Sequence, residues 1–148
     1  MLDNLDLKIL RTLQQNGRTK RNELAELVGL SIPSVSDRLK KLESNGIIEG
    51  YYAKVKRQAF GFDILAFIMV MMDSSKHYKD LIKHVEKHPN IIECYSVLGE
   101  GSHLLKVAVK NTESLEKLLS EIQTWTGVIS TNTTFVLSAI KETTEINI

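Results

Sequence analysis

Cysteine is nearly absent from this chain: Cys94 is the only one in 148 residues. An intrachain disulfide is therefore excluded, and a reducing cytoplasm is the natural setting. Long apolar runs are absent as well. The most hydrophobic segment, Ile64 to Met72, is bracketed by Asp63 and Asp73, a length that suits a buried strand and falls short of the roughly 20 residues a membrane-spanning helix needs. The amino terminus lacks the pattern of a secretory signal. Histidine is confined to the second half, where His77, His84 and His88 align along one side of an expected helix. Only His84 and His88 have the i, i+4 spacing of a ligand pair, and no cysteine or carboxylate cluster is placed to complete a metal site. Packing at the edge of a core is the simpler role for them. His103 reads as an ordinary strand-face histidine near a loop. No nucleophile and base are spaced to act together. The expectation is a protein with no catalytic residues, no metal, no cofactor and no membrane partner.

An excess of one charge is missing from the total but not from the halves. The net charge is +1. Residues 1–57 hold 11 Lys/Arg and 7 Asp/Glu, net +4, whereas residues 58–148 hold 8 and 11, net −3. A basic half offers phosphate contacts that weaken as salt rises, and Arg11, Arg18, Lys20, Arg21, Arg38, Lys40, Lys41, Lys54, Lys56 and Arg57 are its candidates. At 43% hydrophobic and 25% charged, the rest is ordinary globular chemistry, enough for one domain or two small ones.

What is present begins with the run Gly29 to Ile48. Ser31 can cap a helix and Pro33 is tolerated in its first turn. Val35, Leu39 and Leu42 then recur at i, i+4 and i+7 as one apolar stripe, with Ser34, Asp37, Lys40 and Lys41 facing largely away and Arg38 at the edge. Asn45-Gly46 supplies a left-handed stop, and Ile47 is expected to fold back over the last turn. Upstream, a short helix over Glu23 to Val28 has Thr19 as its expected cap. A longer helix over residues 4–16 carries Leu5, Ile9, Leu10 and Leu13, opened by Asp3 and closed by Asn16-Gly17. Three helices with a tight turn before the last read as a helix-turn-helix. Ser34, Ser36, Asp37, Arg38, Lys40 and Lys41 are its candidate DNA contacts, the cations for phosphate or guanine and the serines for phosphate or base edges.

The organisation expected downstream is a strand-like connector from Ile47 to Val55 followed by Phe60-Gly61-Phe62, then a strand near 64–73, a helix near 76–88, strands near 91–98 and 103–110, a helix near 112–124 and a last strand near 128–140. That is βαβ twice, a ferredoxin-like βαββαβ pattern in an α+β protein. The division is 1–50 for the helix-turn-helix, 51–63 for the connector and 64–148 for the second domain. Gly99 and Gly101 permit close backbone approach and positive φ in the loop between two strands. Phe67, Met69 and Met71 are interface candidates, though the sheet's own core is their simpler place.

In order, Leu2-Asp3-x-x-Asp6-x-x-Ile9-Leu10, Asn16-Gly17-Arg18, Glu23-Leu24-Ala25, Val28-Gly29-Leu30-Ser31, Val35-x-x-Arg38-Leu39-x-x-Leu42-Glu43 and Gly46-Ile47-Ile48-x-Gly50-Tyr51 resemble the Lrp/AsnC (feast/famine) family of transcriptional regulators. The resemblance continues through Val97-x-Gly99-x-x-Ser102 and Gly127-Val128-x-x-Thr131-x-Thr133, so it spans nearly the whole chain. It implies a winged-helix-like DNA-binding domain and an ACT-like domain that dimerises and binds an effector. Double-stranded DNA, an amino-acid effector and further copies of the chain, as a homodimer assembling to an octamer, are the implied partners. Gly99, Glu100, Gly101, Ser102, Thr131 and Thr133 are the implied effector residues. Ser102 stands where the family usually has aspartate; a serine can hydrogen-bond an ammonium group but brings no full charge, which Glu100 could compensate. The alternatives are a DNA-wrapping architectural protein with no effector, and a haem-precursor decarboxylase-like enzyme of the same fold.

Overall fold

A computed structural model describes residues 2–148 and divides the chain into two compact units. One comprises the residues up to Lys54 together with Lys141–Ile148; the other is Val55–Ile140. The last eight residues thus group with the first unit although they follow the second in sequence.

The first unit is built on three helices, α1 (Asn4–Gln15), α2 (Arg21–Val28) and α3 (Ile32–Ser44). Each starts where a side chain can answer the orphan amides of its first turn. Asp3 accepts from the Asp6 amide at 2.8 Å while Asp6 accepts from the Asp3 amide at 3.1 Å, a reciprocal cap on α1. Ser31 caps α3, accepting from the Ser34 amide at 3.3 Å, with Pro33 in the first turn as its chemistry requires. α2 departs from expectation: it starts two residues early, with Lys20 at the cap and the Glu23 carboxylate on the Lys20 amide at 3.2 Å. Thr19 instead donates to the Asn16 carbonyl at 2.7 Å, so its hydroxyl closes the preceding turn. α1 ends at Asn16 in extended backbone, without the left-handed glycine expected there.

Gly29 and Gly46 both sit at φ +68°, closing α2 and α3 in the left-handed conformation that a side chain resists. After Gly46 the amides of Ile47 and Ile48 both return to the Leu42 carbonyl, at 2.9 and 3.1 Å. Ile48, not Ile47, joins the core; Ile47 remains exposed. That core is Ile9, Leu24, Ala25, Val28, Val35 and Leu39, the stripes the periodicity marks.

The connector is not a strand. Between Gly50 and Lys56 the backbone is irregular, and a 3₁₀ turn covers Arg57–Phe60. Its apolar and aromatic residues satisfy strand propensity, but a strand also needs a neighbouring ladder, and these residues pair with no strand among the described residues.

The second unit is a four-stranded antiparallel sheet in the order β2-β3-β1-β4, from β1 (Ile64–Met72), β2 (Ile91–Ser96), β3 (His103–Val109) and β4 (Val128–Phe135). Helices α4 (Tyr78–Lys87) and α5 (Thr112–Thr124) connect β1 to β2 and β3 to β4. This is the ferredoxin-like βαββαβ arrangement. Ile64, Ala66, Ile68 and Val70 on β1, with Leu105, Val107 and Val109 on β3, meet Leu81 of α4 and Leu118 and Ile122 of α5 in one core. Full burial of each aliphatic side chain is worth roughly 1.5–3 kcal/mol, so the alternation pins the register. Phe67, Met69 and Met71 alternate to the other face, which the two helices leave uncovered. Their expected place in the sheet's own core is therefore corrected. β4 stops at Phe135 rather than near residue 140, because Phe135 lies opposite Ala66 and β1 begins only two residues earlier. One further bond, from the Val136 amide to the Leu65 carbonyl at 2.9 Å, ends the pairing.

Candidate functional site

On α3 the sequence divides cleanly between structure and surface. Val35, Leu39 and Leu42 are buried, while Ser34, Asp37, Lys40 and Lys41 are exposed and Ser36 is half-buried. Ser34 is partly committed, its hydroxyl 2.8 Å from that of Ser31. Lys40 and Lys41 make no side-chain ion pair among the described residues and are available to an outside anion. An open groove of about 710 Å³ runs beside the helix, lined in part by Ser34, Asp37, Arg38 and Lys41 and by Asp3 and Asp6.

Arg38 has another partner. Its Nη1 donates to Asp3 Oδ2 and Asp6 Oδ1, each at 2.7 Å, and its side chain is 27% exposed. The Asp6 amide and then the Arg38 guanidinium hold the Asp3 carboxyl below its ordinary range, while the Asp6 and Asp3 carboxylates raise the Arg38 pKa. The residue expected to read phosphate or guanine thus ties the middle of α3 to the capped start of α1. That pairing gives Arg38 a contact inside the first unit, beside its expected place among the DNA contacts.

Other expected phosphate contacts are also engaged. Arg11 Nε donates to the Ile148 carbonyl at 2.5 Å, and Lys54 Nζ reaches the Glu142 carbonyl at 2.8 Å and its carboxylate at 3.3 Å. Gln14 clamps Ile146 from both sides of its amide, donating to the carbonyl at 3.0 Å and accepting from the backbone amide at 2.7 Å. No pattern in the sequence announces this tail, because its partners are mainly backbone groups that every residue possesses. Arg57 donates to the Phe62 carbonyl within the second unit.

In the second unit the loop from Val97 to Ser102 joins β2 to β3. Ser102 holds it to β1, its amide donating to the Val70 carbonyl at 3.0 Å and its hydroxyl to the same oxygen at 3.3 Å. Val97 closes the loop by donating to the Ser102 carbonyl at 2.9 Å. Gly101 is a close approach rather than a positive-φ position: a Cβ there would lie 2.5 Å from Met69 Cγ and 3.0 Å from the Val70 carbonyl. Gly99 has the positive φ, 152°. Thr131 lies opposite Val70 on the far side of β1 from His103, and Thr133 lies opposite Ile68. The structure therefore brings Gly101, Ser102 and Thr131 to the Val70 end of β1. Glu100 is exposed, and Thr133 is one strand pair further along.

The histidines take separate partners. His77 Nδ1 lies 2.7 Å from Asp73, His84 stacks on Trp125 with ring centroids 4.9 Å apart, and His88 Nε2 lies 3.2 Å from Glu121. Among the described residues no three His, Cys, Asp or Glu come together as a metal site. Sequence reasoning misses two polar arrangements. On the uncovered sheet face Glu93 takes Lys106 at 3.0 Å and the Tyr95 hydroxyl at 2.7 Å; burial raises the Glu93 carboxyl, but those two partners outweigh it and the pKa falls. On the covered face His103 is buried and its pKa is lowered by that burial. The alternation of β3 could have flagged both, since Lys106 and His103 interrupt otherwise apolar positions.

Residues 2–49 match the family model of winged helix-turn-helix DNA-binding domains, and residues 65–146 match that of the Lrp/AsnC ligand binding domain. The HTH-type transcriptional regulator FL11 of Pyrococcus furiosus is 34% identical over 146 residues, covering 99% of this chain and 96% of the relative. The structure of a transcriptional regulator from Neisseria meningitidis in complex with L-methionine superposes with a TM-score of 0.93 at 33% identity, covering 99% of this chain and 97% of the other. A feast or famine regulatory protein from M. tuberculosis complexed with L-methionine gives a TM-score of 0.92 at 33% identity, with 99% of each chain covered.

Proposed function

Since the chain belongs to the Lrp/AsnC family of DNA-binding transcriptional regulators, we propose that Lys40 and Lys41, with Ser34, Ser36 and Asp37 beside them, form its DNA-contacting surface, and that an amino acid bound at the Gly99–Ser102 loop modulates its hold on DNA. The observation that carries the DNA surface is α3 itself: one stripe fully buried, the opposite side presenting two cations that form no ion pair among the described residues. Phosphate attraction supplies affinity and base edges supply sequence preference.

The effector reading is supported by the two similar proteins in complex with L-methionine and by the way Gly101 and Ser102 are seated on Val70 and Met69. Thr131 approaches the same point from β4, whereas Glu100 and Thr133 stand further out. A second copy covering the sheet face of Phe67, Met69 and Met71 would make a dimer, and two α3 helices would then meet successive major grooves about one helical turn apart. Assembly of dimers to an octamer would let a ligand act by favouring one spacing of DNA-binding units over another. The protein works in the cytoplasm on this reading and has no catalytic role; no helix of the described residues is long and apolar enough to cross a membrane.

Gel-shift titrations on DNA upstream of its own gene, across a panel of amino acids with light scattering on the same samples, test this function. A response to one amino acid, abolished in Gly101→Val while DNA is still retained, is the expected result. Retention that ignores every amino acid and every promoter would favour a DNA-wrapping architectural protein. No retention even at low salt would refute the DNA surface and leave the enzyme reading.

A further inference from the structure

Between α4 and the strands β2 and β3 lies a half-open cavity of about 260 Å³, lined by Ile82, Val85, Glu86, Cys94, Ser96 and His103, of which Ile82, Glu86 and Ser96 are exposed. None of the loop residues Gly99–Ser102 lines it. His103 is only 3% exposed. Its Nδ1 lies 2.8 Å from the Ser102 hydroxyl, and that hydroxyl lies 3.3 Å from the Val70 carbonyl. A carbonyl can only accept, so the hydroxyl gives its single proton to Val70 and accepts from Nδ1–H. Burial lowers the imidazole pKa and keeps the ring neutral. A neutral ring protonated on Nδ1 leaves Nε2 as a lone-pair acceptor.

That acceptor has no hydrogen-bond partner among the described residues, yet no buried side-chain nitrogen or oxygen among them is both sealed and unpaired. Nε2 therefore reaches open space, and the cavity its ring lines supplies it. The remaining chemistry of the cavity has a single sign. Glu86 brings a carboxylate, Ser96 a hydroxyl, Ile82 and Val85 apolar walls, and no cation among the described residues lines it. Burial also pushes the Cys94 thiol up, so it stays protonated and adds no anion. A ligand that satisfies this set carries hydrogen-bond donors and positive charge on an apolar body.

We propose that the cavity binds a small aliphatic amine, its ammonium directed to His103 Nε2 and Glu86 and its alkyl group lying against Ile82 and Val85. The site meets the loop only through the Ser102 hydroxyl on His103 Nδ1 and does not rest on the effector reading. A carboxylate-bearing compound of the same shape is disfavoured by Glu86.

Cys94 reports on occupancy directly, because it is the only thiol in the chain and lines the cavity. On the full-length protein, millimolar isoamylamine slows the reaction of Cys94 with DTNB and shifts the His103 Nε2 resonance, whereas isocaproate does neither. Ser96→Leu fills the space and abolishes the protection; Glu86→Gln, at an exposed position, weakens it by about threefold, the scale of a partly exposed ion pair. Where Ser96→Leu fails to fold, Glu86→Gln decides alone. Equal protection by isocaproate, no protection by the amine, or unchanged protection in Glu86→Gln overturns the proposal.

Discussion

Replacing Arg38 by alanine separates two roles for one side chain. As a DNA contact, Arg38 would contribute to affinity and nothing to folding. As a tie between α3 and the start of α1, it contributes to folding through both 2.7 Å contacts. The contact to Asp6, whose side chain is 14% exposed, carries most of the effect; a charge-assisted hydrogen bond in that setting is worth roughly 1–1.5 kcal/mol. Asp3 is more exposed and its pair adds little. For a unit of this size, 1 kcal/mol moves the midpoint by about 4–8 °C, so the first unit of Arg38→Ala melts roughly 5–10 °C lower. Thermal unfolding of Arg38→Ala, Asp6→Ala and the double variant measures the coupling, and the two single effects overlap rather than add. DNA affinity measured against salt supplies the other half: the slope of log K on log salt stays that of the parent, because the number of neutralised phosphates is unchanged. An unchanged midpoint together with a slope smaller by about 0.9 would refute the positioning role and restore Arg38 to the DNA surface.

Lys40→Ala and Lys41→Ala show the opposite pattern, with unfolding unchanged and the salt slope reduced by about 0.9 for each phosphate no longer neutralised, as read from binding isotherms at several ionic strengths. Gly29→Ala destabilises the first unit by about 1 kcal/mol in denaturant titration, because a Cβ at φ +68° meets no neighbour within 4 Å and the cost is purely conformational. Burial lowers the His103 pKa below its ordinary 6.5, so the unfolded chain binds that proton more readily. The stability it confers is present above about pH 6.5 and is lost as pH falls through the folded pKa; chemical denaturation of His103→Gln shows a flatter pH dependence there.

The helix-turn-helix is legible in the sequence because its signals are local. Ser31, Pro33, the stripe of Val35, Leu39 and Leu42, and Asn45-Gly46 all act within a turn or two of one another, so sequence spacing is spatial spacing. The alternation of strands and helices after Asp63 is legible for the same reason. The partners of Arg38 are not legible, because a cation on a helix edge looks the same in sequence whether or not it reaches two carboxylates more than thirty positions away. The connector misleads differently: Tyr51, Tyr52 and Val55 have strand propensity, but propensity does not provide a neighbour. At Ser102 the sequence displays only the charge that serine lacks, whereas the fold sets its hydroxyl between the Val70 carbonyl of β1, at 3.3 Å, and His103 Nδ1, at 2.8 Å.

The tail held by Arg11, Gln14 and Lys54 makes the first unit discontinuous in sequence, and that governs how the protein comes apart. The backbone runs from one unit to the other twice, once near Lys54 and again near Ile140. A protease that cuts only the irregular stretch after Gly50 therefore leaves two fragments still joined, since the fragment containing the sheet ends in the residues that α1 grips. Release requires a second cut before Lys141 or a loosening of that grip, so limited digestion yields a nicked species that migrates whole until it is denatured.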